Sequence, residues 1–369
     1  METKPQKEIN SLAGNRLKIL HLPTSVGGNS WGLAQGEKRV GLDSKVLVTT
    51  DTWFDFPSDI SLHWEKRKPI GIFLSSIKAF LTYRNKFDVL HFNFGSTLID
   101  FRKYGMHHWD LPFYPKNKKM IFTYNGCDAR QKYKTMERAA IASCYEKECY
   151  NGLCNSGTRD LIREKRIRII SKYADHIFAV NPDLLYFLPR NLSTFLPYTI
   201  SSWYKIEAIP YKIDRRIRVV HSPTDRAAKG SRYIIQTLER LAKRFPIDLS
   251  LIENMTNQKA LEAYREADLI IDQILIGWYG GFAVEAMKMG KPVCVFIRED
   301  DLKFIPKNME KDLLESVINI NPLNIERVLE EYFQNPHLLY EKGKAGLEYV
   351  HRWHDPVYVA GLTKAVYEN

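Results

Sequence analysis

The chain has 369 residues, 44% hydrophobic and 26% charged, with a net charge of +11 and an isoelectric point near 9.2. That length exceeds what one hydrophobic core ordinarily serves, so two domains are expected. The balance leaves no disordered block, repeat or low-complexity tract, and the excess of Lys and Arg predicts an acidic partner: nucleic acid, an anionic membrane or a phosphorylated substrate.

The first fifteen residues are polar and read as a frayed amino terminus. They lack the apolar core of a signal peptide, which points to the cytoplasm. Residues 16–22 (RLKILHL) read as a strand that ends in a loop bearing Gly27 and Gly28, before a helix over 31–40 and a strand over 45–49. The longest apolar stretch, 70–81, carries Lys78 and falls short of the roughly 20 residues a bilayer requires. Lys66, Arg67 and Lys68 precede it, and Lys78, Arg84 and Lys86 follow its helical spacing. Such a basic amphipathic helix reads either as a core helix with a solvated edge or as a peripheral contact with anionic headgroups on the inner face of the membrane.

Strands are expected at 89–92, 120–124 and 176–180, with a strongly charged helix over 158–173. Its basic residues Arg159, Arg163, Lys165, Arg166, Arg168 and Lys172 read as a solvated face or as a surface for anionic lipid or a lipid-linked diphosphate. No nucleic-acid docking motif or RNP-like strand accompanies them, so nucleic acid is not expected as a partner. Pro189, Pro197 and Pro210 interrupt helix formation, which puts a boundary near residue 200. The first domain then spans 1–200, rejoined by a final helix over 353–369, and the second spans 201–352. Strands at 218–221, 249–252, 269–272 and 292–297 alternate with helices at 234–245, 258–267 and 282–289. The whole is α/β, two Rossmann-like domains whose parallel sheets face each other across a cleft.

The densest motif is 277–292, GWYGGFAVEAMKMGKP. A strand ends near Asp272, and Gly280 and Gly281 open a helix whose first amides can hold a diphosphate. Glu285 lies one turn inside, placed to accept hydrogen bonds from ribose or sugar hydroxyls. Upstream, 221–230 (HSPTDRAAKG) offers Arg226 and Lys229 just before a glycine and a helix, a cationic loop suited to phosphate oxygens. These two segments resemble the retaining GT-B glycosyltransferases, in particular the family 4, or group 1, enzymes of bacterial polysaccharide and glycolipid synthesis. In that family two glutamates stand eight positions apart; Glu285 matches the second, and Gly290-Lys291-Pro292 the signature after it, while Gly277 stands where the first belongs. Lys229 matches the family lysine, and Arg226 sits two positions after the usual arginine, now Thr224. The resemblance also implies that the Gly27–Gly28 turn faces the donor phosphates.

It further implies an acceptor side in the first domain with a histidine near the reacting carbon. Asn93 and Asn125 occupy positions often filled by histidine, leaving His91, Asn125 and Asp128 as candidate catalytic residues. Asp128 and Arg130 read as a pair that either holds its loop or faces the sugar or acceptor. Cys127, Cys144, Cys149 and Cys154 read as reduced thiols or as a weak four-sulfur zinc site lacking the usual two-residue spacing. No cofactor is expected. The partners implied are a nucleotide-sugar donor and a saccharide or lipid-linked acceptor; the alternatives are a nucleotide-sugar epimerase and a catalytically silent GT-B subunit.

Overall fold

A computed structural model describes residues 16–210 and 216–369, so the expected frayed amino terminus lies outside the described residues. Strands β1 (Lys18–Leu22), β2 (Asp43–Val48), β3 (Ile60–Ser61), β4 (Val89–Asn93), β5 (Lys119–Tyr124), β6 (His176–Ala179) and β7 (Ser193–Phe195) form one parallel sheet in the order β3-β2-β1-β4-β5-β6-β7. Strands β8 (Ile217–His221), β9 (Ile247–Leu251), β10 (Leu269–Ile271), β11 (Val293–Val295) and β12 (Ile318–Asn319) form a second, ordered β12-β11-β10-β8-β9. The central strands are almost wholly buried, β4 along its entire length. Continuous apolar runs of this kind are what a parallel sheet covered on both faces requires.

In each sheet the strand order reverses beside the first strand, between β1 and β4 and again between β8 and β10. At such a switch point the loops leaving adjacent strands part in opposite directions and open a crevice. The loops after β1, β5, β8 and β10 all reach the same cleft.

The helix Asn29–Arg39 is the seat on which two chain crossings rest. A Cβ at Gly32 would lie 2.5 Å from the Ile200 carbonyl oxygen, and one at Gly36 would lie 1.9 Å from that of Pro356. Only glycine lets backbone approach backbone so closely. Asn29 completes the seat by accepting the Thr199 amide at 2.8 Å. The helix Pro356–Glu368 then packs along Asn29–Arg39.

A buried polar network secures that packing. Glu37 accepts from His21 at 2.7 Å, Ser44 at 2.6 Å, Tyr367 at 2.7 Å and Thr363 at 3.1 Å. Burial alone would raise its pKa, but the charge and hydrogen bonds of His21 and the hydroxyl donors outweigh it and lower the pKa. His91, in the middle of β4, is fully buried and bonds Tyr367 and Thr123, each at 2.6 Å.

The helix Pro69–Tyr83 turns Ser76, Ala79 and Phe80 inward, while Ile70, Leu74 and Leu81 are more than half exposed. Part of its apolar surface therefore faces outward. Among the described residues, no helix is long and apolar enough to cross a membrane.

Replacing Tyr367 by Phe removes a donor from a buried carboxylate without changing shape. It should lower stability by about 1–3 kcal/mol, read by urea unfolding. A change below about 0.5 kcal/mol, the size usual for surface substitutions, would show that the network does not secure the final helix.

Candidate active site: a cleft between the two sheets

Two adjoining cavities of about 520 and 480 Å³ meet at Val26, Tyr150, Tyr198, Thr224, Lys229 and Gly281. The organising group is Asp272, buried just past the end of β10. One of its oxygens takes the Lys229 ammonium at 2.9 Å, and the other accepts the Gly280 amide at 2.8 Å. Gln273 accepts from the same ammonium at 2.5 Å, and its own amide is fixed by the Trp278 carbonyl. Lys229 thereby keeps one of three donors for the cleft. A single carboxylate thus brings the cationic loop and the glycine-opened helix Gly281–Lys288 to one place. At its first turn Ala283 and Val284 donate to the Gly280 carbonyl, and the Gly281 and Phe282 amides, without an intrahelical partner among the described residues, lie where the positive dipole end favours an anion.

Tyr198 joins the two halves here. Its ring would meet a Cβ on Gly281 at 2.9 Å, and its hydroxyl would meet one on Gly27 at 1.9 Å. That hydroxyl donates to the Val26 carbonyl at 3.3 Å. Gly28 precedes the Asn29 helix in a left-handed conformation. Of the two glycines, Gly27 lines the 480 Å³ cavity.

The 480 Å³ cavity continues past Phe282 and Glu285, with Trp53, Phe54 and Phe56 from the first half and residues 252–255 from the second. Glu285 is 6% exposed, and its carboxylate accepts from Ser202 at 3.0 Å and Asn257 at 2.9 Å. Burial pushes its pKa up to about 7, against the pull of those two bonds. Flat aromatic rings beside a buried hydroxyl acceptor suit a nucleoside.

Several sequence expectations need correction. Arg226 does not line the cleft: its guanidinium is committed to Glu253 at 2.9 and 2.6 Å on the surface. His91 is sealed inside the first sheet and touches neither cavity. Asp128 and Arg130 do not pair. Arg130 forms a bidentate buried bridge with Asp183 at 2.6 and 2.9 Å, while Asp128 accepts the amides of Asn125 and Gly126 at 3.0 and 2.6 Å. Asp128 therefore closes the loop after β5. Asn125 lines the larger cavity, and its side-chain oxygen is buried without a partner.

Gly277 has φ +92°, and a Cβ there would lie 2.5 Å from an Arg298 guanidinium nitrogen. Arg298 occupies that space, donating to the Ile276 and Ile141 carbonyls at 3.2 and 2.8 Å and to Asp301 at 3.0 Å. A glutamate at this position would be both strained and obstructed. Cys127, Cys144, Cys149 and Cys154 all line the larger cavity. Among the described residues, no three of their sulfurs gather within 4.8 Å of one another, so they do not form a ready zinc cage.

Asp272, Tyr198 and the Trp53–Phe56 loop escaped the sequence reading. Asp272 read only as a strand end and Tyr198 only as part of a proline-rich join, since neither carries a periodic signal.

The raised pKa of Glu285 has a worked consequence. Because the folded value, about 7, exceeds the ordinary 4.5, the group stabilises the fold fully below pH 4.5, and that contribution is lost as pH rises through 7. Glu285→Gln should therefore gain on the order of 3 kcal/mol relative to the parent at pH 8 compared with pH 4. Thermal unfolding at the two pH values tests this, and equal differences at both would refute the shifted carboxyl.

No protein-family model matches the chain, and no curated protein matches it in sequence. Solved structures do match in fold. Sucrose-phosphate synthase from Thermosynechococcus elongatus is similar over 96% of this chain and 98% of its own, with 14% identity and a TM-score of 0.57. The Anabaena protein HepE, solved in complex with UDP-glucose, is similar over 95% and 99%, with 11% identity and a TM-score of 0.58. UDP-GlcNAc 2-epimerase from Neisseria meningitidis, solved with UDP-GlcNAc, is similar over 96% and 100%, with 13% identity and a TM-score of 0.52. The chain therefore has the two-domain GT-B fold.

Proposed function

We propose that this protein is a glycosyltransferase that moves a sugar from a nucleotide-sugar donor to a hydroxyl of a saccharide or lipid-linked acceptor. The observation that carries the reading is the Asp272 clamp, which holds Lys229 against the opening of the Gly281–Lys288 helix. A departing nucleoside diphosphate needs a cation and preorganised N–H donors where its charge develops, and both are supplied there. The nucleoside lies in the aromatic cavity with its ribose hydroxyls on Glu285. The reaction needs no metal, because Lys229 and the helix amides carry the leaving-group charge.

Among the described residues the one carboxylate lining the larger cavity, Asp128, is held by its own loop, so no free carboxylate stands ready as a nucleophile, which favours front-face attack with retention. The leaving phosphate takes the proton of the incoming hydroxyl, and Asn125, on the wall of the larger cavity, positions that hydroxyl through its side-chain amide. Structural likeness to an enzyme solved with UDP-GlcNAc keeps an epimerase as the second reading. An epimerase needs acids or bases around the sugar, whereas the larger cavity is lined by one carboxylate, Asp128, already bound to its own loop. A silent subunit would bind nucleotide without turnover across many acceptors.

The outward face of the Pro69–Tyr83 helix supports a place on the inner surface of the membrane, as in surface polysaccharide or glycolipid synthesis. Ile70 is 69% exposed and Leu74 58%, beside Lys66, Arg67 and Lys68. Apolar anchors with a basic rim suit an anionic headgroup layer.

Two experiments follow. Lys229→Ala should weaken the nucleoside diphosphate that most raises the melting temperature by about tenfold to a hundredfold, the worth of one charge-assisted bond. Unchanged affinity in a folded variant would remove the donor site. In sedimentation with phosphatidylglycerol vesicles, the double variant Ile70→Glu, Leu74→Glu should lose at least about fivefold in binding. Equal sedimentation would rule out this face.

A further inference from the structure

We propose that the first-domain wall of the cleft binds a phosphate or diphosphate group of the acceptor through Lys132, Arg159 and Arg163. The inference rests on the reading of the cleft as a sugar-transfer site and adds the chemistry of the second substrate.

The evidence lies in which cations of the larger cavity already have counter-charges. Arg166 grips Asp100 at 2.5 and 2.7 Å and Arg102 shares that carboxylate, while Arg130 is locked onto Asp183. Across the cleft Lys229 is balanced by Asp272. Lys132 is different. It is 8% exposed and lines the cavity, yet the partner of its ammonium is a neutral amide oxygen, that of Asn155 at 2.8 Å. An ammonium withdrawn from water without a carboxylate is unfavourable, and an arriving anion relieves exactly that deficit.

Arg163 is similarly underused. Both terminal nitrogens donate to the Cys154 sulfur at 3.4 Å, a weak acceptor, and one also reaches Asp160 at 3.2 Å. Phosphate oxygens accept a guanidinium fork far better than a thiol does. Arg159 lies one turn earlier on the same helix, Thr158–Ile170, and so shares its face. It lines the cavity and forms no ion pair among the described residues.

Of these three cations only Arg163 meets a carboxylate, Asp160, which also accepts the backbone amides of Lys132 and Tyr133 at 2.9 and 3.0 Å. The surplus calls for an occupant with two negative charges and several oxygens. A phosphate monoester or diphosphate supplies both, whereas a lone carboxylate supplies one charge.

The test uses the full chain saturated with the nucleoside diphosphate that stabilises it most. Inorganic pyrophosphate, farnesyl diphosphate and farnesol are each titrated by calorimetry into the parent and into Lys132→Gln and Arg159→Gln. Both diphosphates should bind beside the nucleotide, and each variant should weaken them by at least about tenfold while nucleotide affinity stays within about twofold. Equal binding of pyrophosphate and farnesyl diphosphate assigns the site to a free phosphate group, and tighter farnesyl diphosphate assigns it to a lipid headgroup.

The proposal is overturned if pyrophosphate binds only by displacing nucleotide, if the variants weaken nucleotide equally, if they weaken neither ligand, or if farnesol binds as well as its diphosphate. Arg159→Gln alters a half-buried side chain and serves where Lys132→Gln does not fold. Should no nucleoside diphosphate bind at all, the sugar-transfer reading fails. Pyrophosphate titrated into the free protein then still tests the wall.

Discussion

The structure depends on one buried carboxylate. Asp272 sits where the β10 strand runs out, at the switch point of the second sheet, and its two oxygens face different elements. Without it, the Lys229 ammonium has no counter-charge and the loop entering the Gly281–Lys288 helix has no fixed end. A carboxylate so placed is costly to bury alone, so the lysine and the amide that satisfy it are held as firmly as it holds them. The Asp272 end of the cleft is therefore tied together by the chain's own groups, independently of any ligand.

The opposite wall follows another logic. There Asp100, Asp160 and Asp183 meet four cationic side chains, Arg102, Arg130, Arg163 and Arg166, while the Lys132 ammonium rests on a neutral amide, so the pairing is uneven. Tyr198 stands between the two walls, its ring against Gly281 and its hydroxyl on the Gly27 turn. A side chain on either glycine would collide with Tyr198 and force its ring or hydroxyl to shift. The cleft is thus shaped as much by what its glycines omit as by the groups that line it.

The parallel architecture was legible because buried strands such as 89–92 and 120–124 are continuous apolar runs, and because helices such as 234–245 keep one apolar face. Strands β3, β7 and β12 were not, since two or three residues at a sheet edge hold no periodicity. Within the cleft, Lys229, Gly280, Gly281 and Glu285 lie together because each is placed by local chain geometry that motif spacing encodes. Arg226, His91 and Asp128 show the limit of spacing. Whether an arginine faces a cleft or a neighbouring Glu253, or a histidine sits at a strand's mouth or in its middle, depends on partners far away in the chain. Gly277 is similar: its empty side-chain position is filled by Arg298, twenty-one residues on, which no local pattern announces.

The Pro356–Glu368 helix has a consequence for biosynthesis. The Asn29–Arg39 helix and the β1 and β4 strands leave the ribosome early, yet Glu37 and His91 find their Tyr367 partner only after 330 and 276 further residues, respectively, have been made. The half of the protein translated first is therefore the half whose core is sealed last. In the interval its polar interior stays open to water, and a nascent chain stalled before residue 356 would present that interior to chaperones.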